Sequence, residues 1–212
     1  MTEKYDVELK RFPVPLRRIV TDWYEWQGLY LWSRGRRPGE VQRAPEKWET
    51  PEQVFWGARP PVVLADGTLV FDSAGGDLRY YVAAGSDVYY MDVEERGNRE
   101  RYWMFRAFED LEKYLLFTIS EDARPEKYGQ SPRARWRAQG PDPRVVLAQP
   151  DAENFPGRVS ITIPGEDVDR CWMGRSDAIA FSHGLFMSYE ELNASEREGI
   201  PAGGFILGLR DQ

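Results

Sequence analysis

The sequence predicts a single α+β domain in which an antiparallel β-meander carries a few α-helices packed on one face. From Pro61 onward, apolar and polar residues alternate with a period of two, and short glycine-containing turns separate the alternating runs. A strongly amphipathic helical segment follows these runs, an order that is typical of an α+β domain. The 212 residues suffice for one domain with its own core.

The composition changes along the chain, and we divide it into four segments. Residues 1–60 are rich in aromatic side chains, and residues 61–124 hold the expected meander and helix. Residues 125–157 form a proline-rich connector, and residues 158–212 hold C-terminal strands and a short helix.

The composition also excludes several classes of protein. The apolar runs are far shorter than the roughly 20 residues that a membrane span needs, so no membrane partner is expected. The first residues are partly acidic and lack the apolar stretch of a secretory signal. The single cysteine, Cys171, excludes an internal disulfide and fits a reducing compartment. We therefore expect a cytoplasmic protein.

The net charge of −7 is unevenly spread. Residues 1–60 hold eleven Lys/Arg against nine Asp/Glu, a balance of +2, and residues 61–212 hold seventeen against twenty-six, a balance of −9. Because an acidic surface repels phosphate backbones, no nucleic-acid partner is expected. The acidity suits a basic protein partner, and it is also the ordinary acidity of many bacterial cytosolic proteins.

Residues 1–60 contain two helix signals. Apolar residues at helical spacing between positions 16 and 27 predict a helix that stops at Gly28, with a short strand expected at Leu29–Ser33. Thr50 and Gln53 form a potential capping box, which predicts a short helix at Pro51–Trp56. Five of the eight tryptophans lie in this segment. They are expected in the core rather than on an exposed recognition surface.

The meander is predicted from five alternating runs, of which the first two flank an Asp-Gly hairpin signal. The predicted strands are Val62–Leu64, Thr68–Asp72, Leu78–Ala83, Asp87–Glu94 and Arg101–Arg106. Because side chains alternate between the two faces of a strand, about half of the Tyr and Trp rings should point away from the core. A helix or a partner must cover that second face, or it is an unusually aromatic exposed surface.

The clearest helix is Phe108–Ala123. Its apolar stripe includes Leu111, Leu115 and Ile119, and carboxylates in its first turn suit the positive end of the helix dipole. Pro125 then ends the helix. This helix is expected to pack on one face of the sheet.

The remaining segments carry weaker signals. Arg133, Arg135 and Arg137 surround Trp136 in a pattern that superficially resembles a nucleic-acid-binding arm, but a solvated loop is expected in so acidic a protein. A capping box predicts a short helix from Ser188 through Ser195. Further strands are expected at Arg144–Ala148, Arg158–Ile163, Ala178–Ser182 and Phe205–Leu209. In Arg158–Ile163, the side chains expected to point inward are Val159, Ile161 and Ile163, and those expected to point outward are Ser160 and Thr162.

The chain offers few groups for catalysis. With one histidine, His183, and one cysteine it cannot assemble the usual four Cys or His ligands of structural zinc, and it has no phosphate-binding glycine loop. We therefore assign no catalytic residue, metal or cofactor. A small enzyme that uses His183 or a pair of carboxylates remains an alternative, although a histidine in a Ser-His-Gly turn is more often structural.

Three stretches of the segment Gly75–Arg124 resemble the immunity proteins of tuberculosis-necrotizing-toxin-like NAD glycohydrolases. They read GGDLRYYV, VEERGNRERYWM and FEDLEKYLLFTISEDAR, and a further stretch at Ala180–Leu192 reads AFSHGLFMSYEEL. The resemblance implies a mixed α/β antitoxin that binds its toxin one-to-one, plugs the NAD-binding cleft and needs no catalytic residue. A non-catalytic structural or scaffolding subunit of a phage or secretion system is the competing interpretation.

The turn at residues 94–98 is the best candidate for contact with such a toxin. A cleft that binds the NAD pyrophosphate must present positive potential, which favours an inhibitor that carries carboxylates and approaches closely. The candidate partner-binding residues are Glu94, Glu95, Arg96, Gly97 and Asn98. The alternative is that this is only a solvated turn.

Overall fold

The structure, a computed structural model, describes residues 4–40, 43–200 and 206–210. Within these ranges the strands are β1 (Lys4–Glu8), β2 (Val62–Val63), β3 (Leu69–Asp72), β4 (Leu78–Ala84), β5 (Tyr89–Glu95), β6 (Asn98–Phe105), β7 (Val146–Ala148), β8 (Arg158–Thr162), β9 (Cys171–Gly174) and β10 (Ile206–Arg210). The α-helices in the same ranges are α1 (Arg17–Ser33), α2 (Pro51–Trp56), α3 (Phe108–Ala123), α4 (Pro132–Gln139), α5 (Arg175–Gly184) and α6 (Tyr189–Glu196).

Eight of the strands form one sheet in the order β2-β3-β4-β5-β6-β9-β8-β7, and all neighbouring pairs are antiparallel. Strands β1 and β10 form a separate parallel pair. The single α+β domain and its five-stranded meander, β2 to β6, are confirmed.

One helix, α3, lies at the centre of the domain. Its predicted bounds are confirmed, and Leu111, Leu115 and Ile119 are all buried. On the sheet side, the ring of Tyr114 lies 5.3 Å from that of Phe105 on β6. Helix α3 also packs against α1, and the Trp23 indole of α1 donates a hydrogen bond to the Asp72 carbonyl oxygen of β3 at 2.8 Å.

The first helix is longer than the sequence predicted. It continues through Gly28 to Ser33, so the strand expected at Leu29–Ser33 is wrong. The buried side chain of Gln27 donates hydrogen bonds to the carbonyl oxygens of Trp56, at 2.8 Å, and Ala74, at 3.2 Å. These bonds and the surrounding packing outweigh the cost of a glycine inside a helix, about 1 kcal/mol.

The tryptophans of residues 1–60 divide between core and surface. Trp23, Trp26 and Trp56 are buried as expected, whereas Trp32 and Trp48 are exposed. The capping box that begins α2 is present. The N-terminal segment is thus built into the core, and only part of its aromatic surface faces solvent.

Two predictions in the C-terminal half are wrong. The arginines around Trp136 lie on α4 rather than in a loop, because Ser131 caps the helix by accepting a hydrogen bond from the backbone N–H of Ala134. The strand expected at Ala178–Ser182 lies inside α5. A short apolar run can belong to a buried helix or a buried strand, and periodicity alone does not separate the two.

The other C-terminal strands agree with the sequence in part. Val159 and Ile161 of β8 point into the core as expected, and Ser160 points to the other face but is also buried. The unpredicted strand β9 lies between β6 and β8. The strand expected at Phe205–Leu209 is present as β10 from Ile206, and Phe205 lies outside the described residues.

Candidate partner-binding surface

One face of the sheet packs against helices α3 and α5, and we call the opposite face the open face. The covered face carries the buried side chains of Tyr80, Met91 and Trp103. The hydroxyl of Tyr80 donates a hydrogen bond to Asp122 on α3, and the indole of Trp103 donates one to Asp177 on α5. The open face consists of the alternate side chains of the same strands: Arg79, Tyr81, Ala83, Tyr90, Asp92, Glu94, Arg99, Arg101, Met104 and Trp172. The expected division of aromatic rings between two faces is therefore confirmed.

Strand register arranges the open face in rows. Ala83, Tyr90, Met104 and Trp172 are successive partners across β4, β5, β6 and β9, which makes this row largely apolar. The two rows nearer the β5–β6 turn are charged or aromatic: Tyr81, Asp92 and Arg101 form one, and Arg79, Glu94 and Arg99 form the next.

A β-bulge makes this arrangement possible. The register shifts after Met91, so Asp92 pairs with Arg101 while Met91 pairs with Trp103, and residue 102 has no partner. The extra residue lets Arg101 and Met104 share the open face while Trp103 enters the core. Bulges often re-aim side chains at functional surfaces.

Two arginines of β6 stack on tyrosines of the neighbouring strands. The guanidinium carbon of Arg99 lies 3.8 Å from the ring centroid of Tyr81, and that of Arg101 lies 4.0 Å from the centroid of Tyr90. Both distances are well inside the range of cation–π attraction. The stacking holds the long arginine side chains flat against the sheet.

A single buried carboxylate lies beneath these arginines. Asp92 accepts hydrogen bonds from Arg99 Nε at 3.0 Å and Nη2 at 2.8 Å, and from Arg101 Nε at 3.4 Å. The Asp92 side chain is 8 % exposed, whereas those of Arg99 and Arg101 are 43 % and 57 % exposed. Two cations share one anion, and the cations lie on the solvent side.

Glu94, one of the predicted partner-binding residues, belongs to this network rather than to the turn. It accepts hydrogen bonds from the Tyr81 hydroxyl at 2.5 Å and from Arg79 at 3.5 Å. Burial and the bond to Glu94 raise the pKa of Tyr81 above its ordinary value. Arg79 also pairs with Asp72 at 2.9 Å, which ties the network to β3.

The other four predicted residues form the β5–β6 turn. Glu95, Arg96, Gly97 and Asn98 are all exposed. Arg96 and Gly97 have φ values of 53° and 82°, which matches the type I′ turn that two-residue hairpins favour. Arg96 is the one non-glycine residue with positive φ in the described ranges, and left-handed backbone is unfavourable for a residue with a Cβ.

The end of this hairpin has two chemically different sides. Arg99 and Arg101 lie on the open face, whereas Glu95 and Glu100 lie on the opposite side, in register with Leu78 and Val93. Asn98 donates a hydrogen bond to Glu100 at 3.1 Å. One hairpin thus presents a basic side and an acidic side.

Sequence reasoning missed the apolar end of the open face. The ring of Trp172, on the unpredicted strand β9, meets the half-exposed ring of Phe155 edge-on at 5.6 Å. The alternation of buried Cys171 and Met173 with outward Trp172 is a period-two signal that could have found this strand.

His183 and Cys171 have structural surroundings. His183 Nε2 lies 2.8 Å from the Gly140 carbonyl oxygen, and the ring stacks on Trp136 at 5.8 Å. The neighbouring Ser182 hydroxyl donates to the Ile179 carbonyl, so it does not bond the imidazole. Burial raises the pKa of the Cys171 thiol, which disfavours the reactive thiolate.

Within residues 4–40, 43–200 and 206–210, no three His, Cys, Asp or Glu side chains are grouped so that they could hold a metal ion. No helix in that part of the chain is long and apolar enough to cross a membrane.

Comparison with known proteins identifies the family. A solved structure described as "Rv3902c from M. tuberculosis" shares the fold, with a TM-score of 0.57 over 85 % of this chain and 91 % of that chain, at 17 % identity. No protein with a curated description matches the sequence. The pattern that defines immunity protein 61 matches residues 54–202, well over half of the chain and including the whole open face. The chain therefore belongs to the immunity protein 61 family.

Proposed function

We propose that this protein is a cytoplasmic bacterial antitoxin that binds a cognate NAD-degrading toxin one-to-one and blocks its active-site cleft. The family match over residues 54–202 carries this proposal, because an immunity protein family implies a toxin partner. The choice of an NAD-degrading toxin rests on the sequence resemblance at Gly75–Arg124, a segment that spans β4 to α3.

The β5–β6 turn is the part of the molecule best suited to enter a cleft. Its residues are exposed, and the Arg96 side chain is 91 % exposed. The acidic side of the hairpin, with Glu95 and Glu100, complements the positive potential that a pyrophosphate-binding cleft must present. A strained backbone at Arg96 is the kind of feature that persists where function requires it.

Inhibition by occlusion requires no chemistry from the inhibitor. The structural roles of His183 and Cys171 fit this mode of action. The protein would act by affinity, with Glu94 anchoring the base of the hairpin through Tyr81 and Arg79.

The test compares the turn with a matched turn at the other end of the same strand. The variant E95A/R96N places an asparagine before Gly97, which creates the Asn-Gly pair that type I′ turns prefer, so the hairpin should stay folded. The control S86A/D87A alters the exposed β4–β5 turn. Each protein is co-expressed with the toxin domain encoded in the adjacent gene, and cellular NAD is measured.

Wild type and control should preserve NAD, and E95A/R96N should lose protection. If the wild-type protein neither preserves NAD nor forms a complex on gel filtration, the antitoxin proposal fails. If E95A/R96N protects as well as wild type, only the role of the turn fails.

A further inference from the structure

We propose that the open face is a second docking surface, on which Arg99 and Arg101 bind an acidic segment of the toxin beside its active-site cleft. This inference rests on the proposed antitoxin function. It concerns the basic side of the hairpin and the strands behind it, whereas the proposed cleft contact concerns the turn and its acidic side.

The exposed charge at Arg99 and Arg101 is positive, whereas the net charge of the whole protein is negative. The chain has a net charge of −7, yet the solvent-exposed ends on this part of the open face are guanidinium groups. Asp92 lies beneath them and balances one of the two, and in the adjoining row Arg79 pairs with Asp72 and Glu94, so the positive excess is confined to Arg99 and Arg101. A local excess of positive charge on an acidic protein favours an acidic partner surface, because complementary potentials steer association and set orientation.

The two arginines are held in place before any partner arrives. Tyr81 and Tyr90 support their planes, and Asp92 fixes both Nε atoms. Within the described residues, the terminal nitrogens of Arg101 have no hydrogen-bond partner, so they remain available as donors to a carboxylate. Little side-chain freedom is left to lose on binding.

The apolar row next to the arginines supplies the other part of an interface. Tyr90, Met104 and Trp172 are partly exposed, and Phe155 extends the row at the Trp172 end. Aromatic residues, Met and Arg are the residue types enriched in protein interfaces. The surface therefore fits a protein segment that has carboxylates next to apolar side chains.

Other occupants fit the charges less well. A nucleic acid carries one negative charge per phosphate along its whole length, and the net charge of −7 on this protein would repel it. A second copy of this chain, related by a twofold axis through the open face, would bring the same two arginines towards each other. Both alternatives are measurable outcomes of the test below.

The experiment reverses the charge of the two arginines. The variant R99E/R101E is compared with R36E/R137E, which changes the net charge equally at two exposed positions outside the open face. Binding to a catalytically inactive form of the toxin domain encoded in the adjacent gene is measured by calorimetry and biolayer interferometry at 50 and 300 mM NaCl. Thermal melting checks that each variant is folded.

The proposal predicts that R99E/R101E raises Kd by at least about thirtyfold at low salt, mainly by slowing association, and that R36E/R137E stays within about threefold. The effect should shrink at 300 mM salt because screening weakens exposed charges. If R99E/R101E does not fold, the single variant R101Q takes its place and should raise Kd by at least about fivefold.

Three results would overturn the proposal. A folded charge-reversal variant that binds within threefold of wild type removes the open face from the interface. If the wild-type protein is a dimer on gel filtration and R99E/R101E is a monomer, the open face binds a second copy of this chain. If the wild-type protein binds single-stranded DNA and R99E/R101E does not, the open face binds nucleic acid. If the wild-type protein neither binds the toxin nor protects against it, the proposed antitoxin function itself is wrong, and the result does not bear on the open face alone.

Discussion

Arg133 on α4 and Asp177 on α5 form an ion pair at 2.5 Å, with side chains that are only 13 % and 14 % exposed. The second oxygen of Asp177 accepts a hydrogen bond from the indole of Trp103 at 3.2 Å, and the guanidinium of Arg133 lies 5.0 Å from the ring of Phe117. One pair thus connects α4, α5, the central helix and the sheet.

We predict that Arg133→Ala lowers the free energy of unfolding by about 3–5 kcal/mol, because it leaves the Asp177 carboxylate buried without its cation. The control is Arg137→Ala, an exposed position on the same helix, which should change stability by no more than about 0.5 kcal/mol. Urea unfolding measures both. Equal stabilities of the two variants would contradict the importance of the pair.

Leu115 tests the position of the central helix. It is fully buried, so Leu115→Ala should cost about 2–5 kcal/mol through lost burial and a residual cavity. Leu64→Ala, at an exposed leucine, provides a matched truncation and should cost much less. Chemical denaturation with an unchanged m-value checks the comparison, and a cost below 1 kcal/mol at Leu115 would place the helix elsewhere.

Two buried carboxyl groups make stability depend on pH. Burial raises the pKa of Glu196 from 4.5 to about 8, although a hydrogen bond from Ser120 opposes the shift. Burial also raises the pKa of Asp122 from 3.8 to about 6, opposed by the bond from Tyr80. Because folding raises these pKa values, their contribution to stability is complete below pH 4, falls as the pH rises, and is lost above about pH 8.

The free energy of unfolding should therefore fall between pH 4 and pH 8, and Glu196→Gln should flatten this dependence between pH 6 and pH 8, where Glu196 is the group that still titrates. Glutamine cannot ionise, and its side-chain oxygen can still accept from Ser120. Urea unfolding of both proteins at several pH values measures the slopes. A wild-type protein that becomes more stable between pH 6 and pH 8, or a variant with the same slope as wild type over that range, would contradict this prediction.

His183→Ala and Cys171→Ser test whether the protein uses catalytic groups. His183 bonds a backbone carbonyl and stacks on Trp136, and Cys171 is buried, so both substitutions should leave inhibition of the toxin essentially intact in folded protein. The readout is the concentration that half-inhibits NAD hydrolysis, with circular dichroism as the check on folding. A hundredfold loss in folded His183→Ala would favour the enzyme interpretation.

Local sequence patterns predicted the secondary structure correctly wherever a single hydrophobic period ran through the segment. The period of two in β2 to β6 and the helical stripe of α3 predicted these elements, because one face of each packs on the core. The capping residues Thr50 and Ser188 located the starts of two short helices, since their side chains satisfy backbone N–H groups that the helix leaves unpaired.

The remaining errors arose where long-range contacts decide. Gly28 suggested a helix end, but Gln27 beside it bonds backbone carbonyls at residues 56 and 74. Arg133 suggested a solvated loop, and its buried partner lies 44 residues further along the chain. Only part of the candidate surface could be predicted from the sequence. The turn at residues 94–98 was predicted, but the sharing of Asp92 by two arginines and the position of Trp172 depend on strand pairing.

The proposed antitoxin function is best tested by measuring the toxin's NAD hydrolysis as increasing amounts of this protein are added. Purified toxin domain is held at a concentration well above the expected Kd, and residual activity is followed as the protein is added. A stoichiometric one-to-one complex that blocks the cleft predicts a linear loss of activity that reaches zero at equimolar protein. Undiminished NAD hydrolysis at a tenfold molar excess of folded protein would contradict the claim.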